Sequence, residues 1–99
     1  MSASVNAVGM ATSLEVLAVA AAEREPLLAA RLFGAGAAVH EMTGSPRPPL
    51  IDSDCERALA HIRAVLGEDA SALVFAAGRS MPFEEAVDLA LVTGGAAAG

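Results

Sequence analysis

The chain has 99 residues, 55% of them apolar, and a formal charge of −6 from six arginines, no lysine and twelve carboxylates. Its 24 alanines make up nearly half of the apolar count; alanine is a strong helix former depleted in strands, which argues against an all-β domain. The apolar content excludes disorder by charge excess, the lone Cys55 excludes a disulfide scaffold, and the acidic balance with scattered arginines argues against nucleic-acid binding.

Residues 1–11 are small and unpatterned, and read as a flexible lead-in or the remnant of a preceding helix. Thr12 and Glu15 have capping-box spacing and predict a helix start. The residues that follow (Leu14, Val16, Leu17, Val19, Ala20 and Ala21) cover more than one helical stripe, so this helix is expected to pack on two sides. It runs to Glu23-Arg24, and Pro26 then suits the first turn of a second helix, where a missing N–H costs nothing.

The second helix has the clearest periodicity. Leu28, Leu32, Ala35, Val39 and Met42 recur at spacings of four, three, four and three. The short connection at Glu25-Pro26 predicts an antiparallel hairpin of the first two helices. Gly44 ends the second helix, and the proline-rich stretch from Thr43 to Pro49 reads as a loop.

Ser53 and Glu56 form a second capping box, supported by Asp52 and Asp54 near the positive end of the helix dipole. Cys55, Leu59, Ile62 and Leu66 mark the buried face of this third helix, and Gly67 is its terminator. A shorter fourth helix is expected from Glu68 to Ala77, with Leu73 and Val74 as its apolar contacts and Gly78 closing it. Pro82 with Glu84-Glu85 opens a fifth, from Phe83 to Val92, with Phe83, Val87, Ala90 and Leu91 facing inward. The expected architecture is all-α: five short helices in a single domain over 12–93, the first two a hairpin and the last three a cap. The 94–99 tail is expected to be disordered.

Each hint of chemistry has a structural explanation. His40-Glu41 starts a zincin-like pattern, but Gly44 stands where the second histidine would be, so a structural histidine is the expectation. Cys55 and His61 are six residues apart and off a common helical face. Gly34-Ala35-Gly36 mimics a dinucleotide fingerprint in mid-helix, where each glycine costs about 1 kcal/mol relative to alanine. The expected compensation is close approach of a neighbouring helix backbone. The acidic groups Asp52-Asp54-Glu56, Glu68-Asp69 and Glu84-Glu85 all fall in predicted first turns, where the helix dipole accounts for them. No catalytic, cofactor-binding, metal-binding or DNA-binding residue is assigned. The longest apolar runs are far short of the roughly 20 residues of a spanning helix. The N-terminus lacks the basic region of a signal peptide, so a cytoplasmic chain without membrane contact is expected.

Three blocks, AARLFGAGAAVHEMTGSPRPP (29–49), ERALAHIRAVLGEDA (56–70) and AAGRSMPFEEAVDLAL (76–91), agree in order and spacing with one family. Over Leu14 to Leu91 the chain resembles the C-terminal end of the helical-repeat region in large actinobacterial LuxR-type regulators, which are similar to signal-transduction ATPases of the STAND class. The resemblance implies tetratricopeptide-like helices, next to an ATPase core and a helix-turn-helix whose ATP and DNA contacts have no positions here. It implies an excised piece or a stand-alone remnant. The chain departs from the pattern at Cys55, where relatives often carry tyrosine, at Phe75 in place of tryptophan, and at Pro82 in place of a capping serine.

A repeat unit cannot bury both of its faces alone. The resemblance and the over-apolar first helix together imply a non-catalytic interaction or oligomerisation module in transcription regulation. Leu14, Val16, Leu17 and Val19 are the expected interface, covered by a second copy or by a helical protein partner. The alternative is a helical domain that senses a small apolar effector in a pocket between helices.

Overall fold

The computed structural model describes residues 3–44, 49–82, 84–86, 88, 89 and 91. Four helices carry most of them: α1 (Ala3–Ala21), α2 (Pro26–Thr43), α3 (Pro49–Leu66) and α4 (Glu68–Arg79). The described residues of 84–91 form a fifth helical segment, and there is no strand among the described residues. The fold is all-α, with α2 packed between α1 and α4 and α3 lying against all three. Its radius of gyration is 12.5 Å, close to the roughly 13 Å of a compact chain of this length.

The boundaries of α2 follow from two residues. Pro26 occupies the first turn, where its ring fixes a helical φ and its missing N–H leaves no bond unmade. Gly44 ends the helix at φ 70°, with its N–H turned back to the carbonyls of Glu41 and His40. Gly67 makes an even tighter junction at φ 89°. Its N–H donates to the Arg63 carbonyl at 2.9 Å, and its own carbonyl accepts from Ser71 N–H at 3.0 Å. One residue therefore ends α3 and begins α4.

Three expected helix boundaries change. Helix α1 starts at Ala3, nine residues before the Thr12–Glu15 box, and continues straight through it. Helix α3 starts at Pro49 rather than Ser53, because proline is as well suited to a first turn here as it is in α2. Gly78 lies inside α4 and is buried, so it is a packing residue and not a terminator. The predicted loop residues 45–48, the 94–99 tail and the inward positions Phe83, Val87 and Ala90 lie outside the described residues; Leu91, also expected to face inward, is 68% exposed.

The core is thin in volume. Nine of the fifteen buried apolar residues among those described are alanines, alongside Leu14, Leu32, Phe33, Val39, Cys55 and Ile62. Burying each large aliphatic or aromatic side chain contributes roughly 1.5–3 kcal/mol, whereas an alanine methyl contributes far less. Small residues stabilise such a core only by allowing close approach, and the glycines show that they do. A Cβ on Gly34 would collide with the Phe75 carbonyl and lie 2.9 Å from Arg79 N, while one on Gly78 would collide with the Arg31 carbonyl. On α4 the inward stripe is Ser71, Val74, Phe75 and Gly78. Leu73, expected as a core contact, is instead 73% exposed, because it lies two residues before Phe75 and so on the far side of the helix.

Candidate interaction surface

Helix α1 contains one charged residue, Glu15, and that residue points into the protein. Its side chain is fully buried, and His40 Nε2 of α2 lies 2.9 Å from its Oε1. Gly36, one turn before His40, makes room for it, since a Cβ there would stand 2.8 Å from Glu15 Cγ. A buried carboxylate needs a hydrogen-bonding partner to offset its lost hydration. Here the partner comes from the neighbouring helix and ties α1 to α2. The capping role expected of Glu15 is thus replaced by a contact between helices.

With its charge turned inward, α1 presents an uncharged outer side. Gly9, Ser13, Val16 and Ala20 are exposed at spacings of four, three and four, which places them on one helical stripe. Ser13 directs its hydroxyl back to the Gly9 carbonyl at 3.0 Å, so this polar group is satisfied within the helix.

Of the four residues expected as an interface, Val16 alone lies on this stripe. Leu14 is 1% exposed and belongs to the core; Leu17 and Val19 are partly buried against it. Val16, at 48% exposure, is the one that faces outward. Gly9, Ser13 and Ala20, the other exposed residues of the stripe, are not singled out by the sequence pattern. The signal that could have found them was the single charge of α1, because a lone buried carboxylate identifies the inward face and so, by opposition, the outward one.

The other candidate residues are also accounted for. Glu41, next to His40, turns the other way and accepts from Arg79 Nη2 at 2.5 Å. That bond, together with the guanidinium charge, holds the Glu41 carboxyl below its ordinary value and raises Arg79 above its own. Cys55 is buried and outside any disulfide, whereas His61, six residues on along α3, is exposed. Asp52 sits in the first turn of α3, Glu68 and Asp69 in that of α4, and Asp54 pairs with Arg57 at 3.5 Å. Among the described residues no group of three or more histidine, cysteine or carboxylate side chains could hold a metal ion. None of the described helices is long and apolar enough to cross a membrane.

A second surface feature is an open groove of about 400 Å³ between α3 and α4 over Ala30 of α2. Leu59, Ile62, Ala72 and Phe75 give it apolar walls, and the exposed Arg63 and Glu68 add opposite charges. The chain matches no known family model, and no curated protein or solved structure is significantly similar to it.

Proposed function

We propose that this chain is a non-catalytic helical interaction module of the cytoplasm, of the kind found at the end of the repeat region in LuxR-type transcriptional regulators, and that it associates through the outer side of α1. The observation that carries this reading is the uncharged stripe Gly9, Ser13, Val16 and Ala20 on a chain with net charge −6. Two acidic molecules repel each other on approach, and this face lets them meet without bringing carboxylates together. The alanine-rich core supports the same reading, because further apolar burial would add to a small internal contribution. The occupant in this reading is a second copy, with a helical partner protein as the other outcome of the test.

Sedimentation velocity over a micromolar concentration series tests it. The native chain is expected to associate, and Val16→Arg to give a folded monomer. Leu73→Arg, on the outer side of α4, is expected to leave association unchanged. A native chain that stays a cooperative folded monomer throughout removes self-association, and binding of a helical protein that Val16→Arg abolishes would then identify the other occupant.

The second reading, an effector-sensing helical domain, is supported by the groove between α3 and α4, whose volume is at the small end of the range for ligand sites. A thermal-shift screen of small apolar molecules tests it, with Ala72→Leu as the variant that fills the groove. If no compound stabilises the native chain more than the filled variant, this reading fails.

A further inference from the structure

We draw no further inference here: the strongest candidate, the groove between α3 and α4, carries Arg63 and Glu68 together in its lining, which call for opposite partners, and nothing in the structure shows what covers it.

Discussion

Gly34 of α2 and Gly78 of α4 each lie directly against the other helix's backbone. Gly34 abuts the Phe75 carbonyl and the Arg79 amide, and Gly78 abuts the Arg31 carbonyl. Side-chain adjustment cannot relieve a clash with either, because the opposing atoms are main chain. Each glycine costs about 1 kcal/mol of helix propensity, and the close contact of two helices offsets it.

The sign of a glycine-to-alanine change should therefore depend on position. Gly34→Ala and Gly78→Ala are each expected to destabilise by about 1–3 kcal/mol, the usual range for overpacking, despite alanine's better propensity. Gly9→Ala in α1 has nothing within 4 Å of the new methyl and should be neutral or stabilise by up to about 1 kcal/mol. Urea unfolding of the three variants checks this; equal effects at all three positions would remove the proposed backbone contact.

The Glu15–His40 contact predicts strong coupling. His40→Leu takes one hydrogen-bonding partner away from the buried Glu15 carboxyl, a loss of about 1–3 kcal/mol. Glu15→Leu with His40→Leu removes both polar groups and should cost clearly less than the sum of the single changes. A double-mutant cycle by chemical denaturation measures this. Additive effects would mean that the two side chains do not act as a pair.

The Glu41–Arg79 pair gives a pH signature with a definite sign. Glu41 is held below its ordinary value, chiefly by the hydrogen bond from Arg79. Its contribution to stability is thus complete above that ordinary value and is lost as pH falls through the lowered folded one. Arg79 is raised, so it stays charged through the whole acidic range. The gap in urea midpoint between the native chain and Glu41→Gln should be constant near neutrality and close in acid. Both groups are exposed, so molar salt should shrink the gap as well.

Cys55 is completely buried in α3, and thiol chemistry needs an accessible thiolate. Its reaction with an aromatic disulfide reagent should be slow in buffer and follow the opening of the fold as urea is raised. Labelling at the rate of a free thiol in native conditions would contradict the packing of α3.

The elements that could be read from sequence are those marked by residues with only one physical use. Pro26 and Gly44 bound α2 as their backbone preferences require, and the stripe Cys55, Leu59, Ile62 and Leu66 faces inward on α3. The start of α1 is hard to read because its first nine residues are small, carry no charge and show no capping-box spacing. Its inward face was hidden because apolar residues surround the helix, and periodicity cannot choose between equal sides. That is why Leu14, which is in the core, was grouped with the exposed Val16. Leu73, expected inside but exposed, is misread for a related reason. In α4 the packed stripe is built around Ser71 and Gly78, and hydrophobicity alone does not mark those two positions.

The junction at Gly67 also sets how the molecule can change shape. Because one residue closes α3 and opens α4, the angle between these helices is stored in a single pair of backbone torsions, φ 89° and ψ 157°. Few side chains reach that conformation without strain. A Gly67→Val chain would have to turn elsewhere, and the two walls of the groove would separate from their hinge outward. The opening of that groove therefore depends on the backbone of one glycine, which is bonded to two of the lining residues, Arg63 and Ser71.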